Sequence, residues 1–457
     1  MKILRSVFTV AIFISLASVS CRRDKTHGPI ENNETKRELI SDDSLLTLIE
    51  YNTFQYFWKG AEPVSGLARE RIHMDGIYPE NDMNIVTSGG SGFGVMAILV
   101  GIERKYITRE EGLNRFIKIV DFLKRADRFH GAWPHWINGE TGKVKPFSPK
   151  DNGADLVETA YLMQGLLAVR QYFAGGTEKE KQLAADIDTL WREVEWNWFT
   201  RGGEDVIYWH WSPDYGWEMN FAVKGYNECL ILYVLAASSP TFPVSADAYH
   251  KGWARSGGIN TSKTKYGYTL TLKHNGAEEY GGPLFWSHYS YLGLDPRNLK
   301  DKYADYWQQN TNHTLINYEW CKENPKKYAG YSSSCWGLTA SYSINGYAAH
   351  CPGQTNDLGV ISPTAAVSSI PYTPENSMDA IRHFYYNLGD KIFGEYGFYD
   401  AFSIENAWYP KRYLAIDQGP EIVMIENYRS GMLWDLFMSC DEIAKGLSNL
   451  GFSTSEN

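Results

Sequence analysis

Clusters of basic residues are missing from this chain. Lys and Arg never run beyond two or three in a row, and the 457 residues carry a formal net charge of −10. That balance argues against a nucleic-acid partner, because a phosphate backbone is bound by clustered cations that displace its counterions. No Cys-x-x-Cys, His-Glu-x-x-His or calcium loop occurs, so no metal is expected. There is no Walker A loop, no complete Gly-x-Gly-x-x-Gly and no Gly-x-Ser-x-Gly elbow, so no cofactor is expected either. The run "TSGGSGFG" (87–94) reads instead as a tight helix start. Cysteine is scarce. Once Cys21 is set aside, Cys229, Cys321, Cys335, Cys351 and Cys440 remain. An odd, widely spaced set is no disulfide framework, although one bridge among Cys321, Cys335 and Cys351 is compatible with an exported protein. Past the N-terminus no stretch is apolar enough to span a bilayer.

The N-terminus itself is a targeting segment. Lys2 and Arg5 precede an apolar stretch from Val7 to Ala17, which is too short to cross a membrane. It ends in "LASVSC", small residues followed by Cys21. This pattern predicts a lipoprotein signal over residues 1–20, with the Cys21 thiol acylated after cleavage. A polar, charged tether follows over 21–42, and a single domain over 43–457. The residues after Cys21 are Arg-Arg-Asp-Lys rather than an acidic cluster, so a periplasmic or outer-membrane-associated site is expected, with the membrane touched only through the lipid. A monomer is expected.

What the chain has in quantity is aromatic surface: 16 Trp, 31 Tyr and 20 Phe. Many stand beside Gly, Asn, Asp or His rather than in apolar runs, which suits a wet cleft as well as a core.

The hydrophobic periodicity is mostly helical. Two helices, 108–126 and 177–199, open with capping boxes at Thr108/Glu111 and Thr177/Glu180 and carry a charged outer face. Others, including 91–106, 154–173, 227–238 and 431–447, hold few charges along much of their length and should be buried on both sides. Pairing outer with inner helices suggests 43–58 with 91–106, 108–126 with 154–173, 178–199 with 218–238, 245–254 with 284–293, 301–323 with 336–345, and 374–389 with 430–449. Six such pairs suggest an all-α closed double ring, an (α/α)6 barrel, in one domain. A helical solenoid is the rival, but no motif of fixed period repeats.

In such a ring the loops entering the inner helices hold the chemistry. Those loops, 130–155, 207–220 and 408–421, mix Trp or Tyr with Asp, Glu, Asn or His, as a carbohydrate cleft does. Asp155 and Glu158, with Asp151 just before them, open an otherwise apolar helix. Capping explains carboxylates there, and so does a pocket facing the helix start. Glu228 precedes "CLILYVLAA", where an ionisable group near apolar residues acquires the raised pKa of a general acid. Asp417 in "YLAIDQGPE" reads locally as a turn former. His210 in "YWHWSPDYGW" is a base, a substrate hydrogen-bonder or a packed side chain.

Five motifs, "TSGGSGFGVMAILVGIERKYITREEG", "WHWSPDYGWEMN", "GGPLFWSHYSYLGLDPRNLKDKYADYW", "SSSCWGLTASYS" and "YLAIDQGPE", resemble glycoside hydrolase family 144, bacterial enzymes acting on β-1,2-glucan, over about residues 45 to 450. The resemblance implies an (α/α)6 barrel and hydrolysis with inversion. By it, Glu228 is the general acid, Asp417 the base (directly or through a relay), and Asp155 and Glu158 bind sugar or tune the pocket. Trp133, His135, Asp151, Trp209, His210 and Trp211 would line the subsites. For an inverting pair the two carboxyls are expected roughly 6.5–9.5 Å apart, or farther with a relay. Trp286 in "WSHYS" departs from the family pattern, where a smaller or polar residue is expected, and bears on chain-length preference. The alternative readings are a lipid-anchored glycan-binding protein without catalysis and a polysaccharide lyase or isomerase on the same barrel.

Overall fold

A computed structural model describes residues 37–454 apart from Gly276 and Glu278, so the expected signal peptide, Cys21 and most of the tether lie outside the described residues. Helix dominates from Asp42 onward, and charged helices alternate with apolar ones along the chain. Asp42–Trp58 (α1) leads to Ser88–Glu103 (α2), which is buried from Ser88 to Ile102. Arg109–Arg125 (α3) leads to Leu156–Phe173 (α4), and Glu178–Arg192 (α5) to Leu230–Ser238 (α6). Both expected capping boxes form, at Thr108/Glu111 and Thr177/Glu180. Next come a π-type turn at Ala248–Trp253 and two 3-10 pieces, Leu284–Ser287 and Tyr289–Tyr291. Tyr306–Glu323 (α7) leads to Pro363–Ser368 (α8). Pro374–Tyr386 (α9) and the short Gly389–Ile392 (α10) lead to Ala415–Arg429 (α11). Met432–Met438 (α12) and Asp441–Asn449 (α13) finish the unit.

The apolar helices are one another's neighbours. α2 lies between α4 and α11, α4 reaches α6, and α11 reaches α8. The Ile231 N–H donates to Ser290 Oγ at 3.1 Å, tying α6 to the 3-10 segment. His288 Nε2 stands 3.0 Å from Ser369 Oγ, tying that segment to the end of α8. Small antiparallel strand pairs precede the apolar helices: Arg71–His73 pairs with Arg412–Leu414, Ala154–Asp155 with His210–Trp211, and Ile85–Thr87 with Trp136–Asn138. They bring the N-terminal ends of α2, α4 and α11 together. The opposite ends are covered by α12 and α13. Trp434 donates its indole N–H to Tyr291 O at 2.7 Å, and Arg170 near the end of α4 pairs with Glu442 at 2.8 Å.

Several segments differ from the sequence expectation. Residues 336–345 are not an inner helix: Ala340–Ser343 forms a hairpin with Gly346–Ala349. Asn345-Gly346 is a turn signal, and Gly346 takes a φ of 105° that other residues avoid. The buried helix in that position is α8, which opens on Pro363. Proline there gives up an N–H that has no helical partner anyway. The first turns of α11, up to residue 421, fall in the expected loop 408–421, where Asp417 reads locally as a turn former. Yet Pro420 is accommodated, and a Cβ on Gly419 would come within 2.3 Å of the Phe93 side chain, so that glycine serves close packing on α2. The expected helix 218–238 is helical only from Leu230, and 284–293 is 3-10 rather than α. Cys229, Cys321, Cys335, Cys351 and Cys440 are all free and buried.

The tightest crossing joins α2 to α4. A Cβ on Gly165 would lie 2.0 Å from Gly92 O, and one on Gly92 would lie 2.1 Å from Tyr161 O. Backbone cannot yield as a flexible side chain does, so Gly165→Ala is expected to lose about 1–3 kcal/mol in urea unfolding. Gly175→Ala has open space around the added methyl and should stay within about 0.5 kcal/mol of wild type.

Candidate active site

A cavity of about 360 Å³ opens where the N-terminal ends of the apolar helices meet. Three carboxyl side chains stand on its wall: Glu70, Glu158 and Glu228. Aromatic faces supply much of the rest, among them Trp136, Phe147, Trp209, Tyr289, Tyr342 and Tyr347.

The first turn of α4 answers for two of the expected residues. Asp155 is its fully buried N-cap and accepts from the Glu158 N–H at 2.9 Å. The reciprocal half of a capping box does not form. Glu158 Oε2 turns instead toward α2, accepting from the Gly89 N–H at 2.9 Å. A Cβ on Gly89 would lie 2.2 Å from that oxygen, which is why glycine stands there. Asp155 Oδ1 also takes the Trp209 indole N–H at 2.9 Å, and its Oδ2 lies 3.2 Å from His135 Nδ1 and 3.8 Å from His210 Nε2. Asp155 therefore holds cavity residues in place rather than lining the cavity itself.

Charge is divided unequally across this network. Burial alone would lower the His135 pKa, but Glu158 and Asp155 beside it hold the imidazole up at about 10, so it is a cation. Burial opposes ionisation of Asp155, yet the hydrogen bond with His135 and the nearby His210 keep its carboxyl below the ordinary range. Burial pushes Glu158 up to about 7 against the pull of His135. Asp151 is pushed up to about 7 by burial and by Asp155, and its Oδ2 stands 3.6 Å from His210 Nε2. Burial lowers His210, which is neutral. Among the described residues, ligand atoms of His135, Asp151 and Asp155 approach within 4.8 Å of one another, so these three are the group that could hold a metal ion. Their mutual contacts already pair imidazole with carboxylate.

Glu228 lies in the turn just before α6, not inside the helix. Its backbone carbonyl is anchored by Ser290 Oγ and by the Tyr161 hydroxyl at 3.4 Å. Its Oε2 is buried and has no hydrogen-bond partner among the described residues. Burial pushes its pKa up to about 7. Asp417, in the first turn of α11, is 3% exposed. It sits not on the main wall but on a small adjoining pocket, behind Phe285 and Tyr289, which border both spaces. The Tyr289 hydroxyl stands 3.5 Å from its Oδ1.

The structure thus brings Glu158, Glu228, His135 and Trp209 to one cavity, with Asp155 bonded directly beneath it and Asp151 and His210 in that same network. Two expected subsite residues are elsewhere. Trp133 is fully buried in the core, where its indole N–H donates to Leu123 O at 3.2 Å and Arg128 covers its ring. A long apolar face that fits the core is buried there however polar its neighbours are in sequence. Trp211 packs edge-on against His130 at 5.0 Å and is off the cavity wall. Sequence reasoning missed Glu70, Arg71, Tyr342, Tyr347 and Asp400. Tyr342 and Tyr347 face each other across the hairpin, and the Asn345-Gly346 turn was the signal for them. Nothing local marked Glu70 or Asp400.

The family described as "Glycoamylase: Putative glucoamylase" matches residues 220–441. The chain resembles an endo-β-1,2-glucanase from Chitinophaga pinensis, solved with sophorotriose and glucose: 68% identity, TM-score 0.90, covering 91% of this chain and 99% of that one. A crystal structure from Bacteroides caccae, described as "a putative glucoamylase", matches at 62% identity and TM-score 0.89 over 91% of this chain and 100% of its own. An exo β-1,2-glucooligosaccharide sophorohydrolase (non-reducing end) from Parabacteroides distasonis is 46% identical over 430 residues, 90% of this chain. The chain spans 58% of that curated relative's length.

The buried acid also bears on stability. In the fold Glu228 keeps a proton up to about pH 7, whereas an ordinary glutamate releases it near 4.5. The folded state binds the extra proton, so this group's contribution declines as pH rises through that window and stays low above it. Glu228→Gln is expected to be more stable than wild type above pH 7, by no more than about 3 kcal/mol, with the gain vanishing at low pH. Urea unfolding across a pH series measures it.

Proposed function

Because the chain belongs to glycoside hydrolase family 144, the bacterial β-1,2-glucanases, we propose that it hydrolyses β-1,2-glucan with inversion and releases sophorose or short β-1,2-gluco-oligosaccharides. The observation that carries this reading is Glu228, a carboxyl on an aromatic cavity wall with a buried, partnerless oxygen and a pKa pushed up to about 7. Such a group is protonated near neutrality and gives its proton to the leaving glycosidic oxygen. Water attacks the anomeric carbon from the opposite ring face, and its proton passes to Asp417. Since Asp417 stands behind Tyr289 and Phe285, transfer runs through an intervening hydroxyl or water. Glu158 and the His135 cation bind sugar hydroxyls, and Trp209, Trp136 and Phe147 offer flat faces to the rings. The Chitinophaga pinensis relative is described as endo-acting and the Parabacteroides distasonis relative as exo-acting.

We read the fold as a double ring of six and six. The inner members are α2, α4, α6, the 3-10 segment, α8 and α11. The outer ones are α1, α3, α5, the π-type turn, α7 and α9. The chain order of these pairs and the neighbour contacts of the apolar helices support that reading. Export as a monomer anchored through acylated Cys21, in the periplasm or at the outer membrane, rests on the "LASVSC" pattern. A glycan-binding protein without catalysis would have no use for two desolvated carboxyls, whose burial opposes folding.

Product analysis tests the function. Incubation with linear β-1,2-glucan should give short oligosaccharides, whose sizes over time separate endo from exo action, while starch and β-1,3-glucan stay intact. No release from any glucan would favour the binding protein, and an ultraviolet-absorbing product would favour a lyase. Glu228→Gln should cut kcat by roughly 10²–10⁴-fold with the fold intact. In wild type, kcat/KM should decline as pH rises through about 7, where Glu228 loses its proton. Cys21→Ser should abolish fatty-acid labelling and move the protein from membrane to soluble fractions; unchanged labelling would sink the anchor.

A further inference from the structure

We propose that Asp400 and Asp417 share one proton and act as a single base, with Asp400 the residue that positions its partner. The proposal rests on the reading of Asp417 as the base. Asp400 is fully buried and held from three sides. Its Oδ2 accepts the Tyr342 N–H at 2.7 Å, its carbonyl accepts the Ser362 hydroxyl at 2.7 Å, and its own N–H donates to Arg412 O at 2.9 Å. Its side chain lies beside that of Asp417, close enough for the two carboxyls to bond once one of them carries a proton. Asp400 Oδ1 and Asp417 Oδ2 are both buried, and among the described residues no N–H or O–H reaches either. Two ionised carboxylates cannot share such a place, and one proton between them satisfies both oxygens.

The surroundings decide where that proton rests. The Tyr342 N–H favours negative charge on Asp400, so the resting pair is Asp417 as the acid and Asp400 as the carboxylate. Burial pushes Asp400 up to about 6 and Asp417 well above the ordinary range. The ionisable groups that face the pair are Glu70, which precedes the Arg71–His73 strand, Tyr289 on the 3-10 segment, and Tyr347 on the hairpin. Arg412 lies over the Tyr342 ring at 5.8 Å. Among the described residues no cation is recorded in an ion pair with either aspartate. The pair therefore takes up one proton as pH falls through about 6 and keeps the other past neutrality, as interacting sites do.

The reaction balances on this basis. The water oxygen forms a bond to the anomeric carbon as the glycosidic C–O bond breaks. The Glu228 proton goes to the leaving oxygen. The water proton goes to the singly charged pair, which becomes neutral with one proton on each carboxyl. Its surplus proton returns to solvent, Glu228 is reprotonated, and water is the only co-reactant. Because Tyr342 also lines the cavity, the Asp400 contact ties the base to the hairpin wall.

Asp400→Asn replaces the proton-sharing partner with an amide donor. The acidic limb of the kcat/KM profile is expected to move up by about one pH unit or more, because the charge that rests on Asp400 in wild type must then rest on Asp417, whose burial opposes it. kcat should fall at least tenfold, with KM and the melting curve little changed. Asp417→Asn should abolish turnover in the same assay. An inactive Asp417→Asn beside an Asp400→Asn with an unmoved acidic limb would overturn the shared proton and leave Asp417 as the base. Turnover retained in Asp417→Asn would overturn the reading beneath it. Should Asp400→Asn not fold, aspartate-selective carboxyl ¹³C NMR of the wild type replaces it. A carboxyl step above neutrality that disappears in Asp417→Asn is expected, and absence of any such step would overturn the proposal.

Discussion

Carboxyl groups withheld from water at the N-terminal ends of apolar helices are the constraint on which the rest of this structure depends. Glu158 begins α4, Asp417 begins α11, and Glu228 stands just ahead of α6. Each helix start presents N–H groups that tolerate an acid, while the buried surroundings keep that acid from ionising at its ordinary pH. The two influences oppose each other, and burial wins at Glu158, Glu228 and Asp417. The arrangement requires helices packed closely enough to exclude solvent. Gly92 and Gly165 allow α2 and α4 to touch backbone to backbone, and Gly89 lets a main-chain N–H reach Glu158.

Asp155 shows how capping and chemistry coexist in one side chain. One oxygen closes the first turn of α4 and holds the Trp209 indole, while the other faces His135. Because Asp155 stays charged, His135 stays charged, and that cation sits against Glu158. The neighbourhood thus carries two ion-paired groups and two acids shifted upward, from four residues within a short stretch of chain. Neutral His210 beside Asp151 extends the same division of charge.

The helical character, the capping boxes, the buried helices α2 and α4 and the placement of Asp155, Glu158 and Glu228 at or just before the starts of apolar helices were legible in the chain. Periodicity, cap residues and an acid at the edge of an apolar run are local signals, and local signals survive without a fold. The misreadings also have local causes. Gly419-Pro420 looks like a turn because the contact that favours glycine there comes from Phe93 on α2, more than three hundred residues away in sequence. Residues 336–345 look like a buried helix because the hairpin's Tyr pair gains its reason only from the cavity it covers. Trp133 and Trp211 stand in a polar, aromatic loop like Trp209, yet only Trp209 faces the cavity.

The residues alone determined that the chain is largely helical, that it carries acids where apolar helices begin, and that its loops are built of aromatic and polar groups together. Tertiary structure decided which of those acids share a space. Asp400, Asp417 and Glu70 are ordinary acids in sequence. They become a cluster only when Arg412–Leu414 pairs with Arg71–His73 and the hairpin lays the Tyr342 N–H on Asp400. Desolvation and mutual repulsion are properties of position in three dimensions, so nothing in the linear sequence marks Asp400 as the neighbour of Asp417.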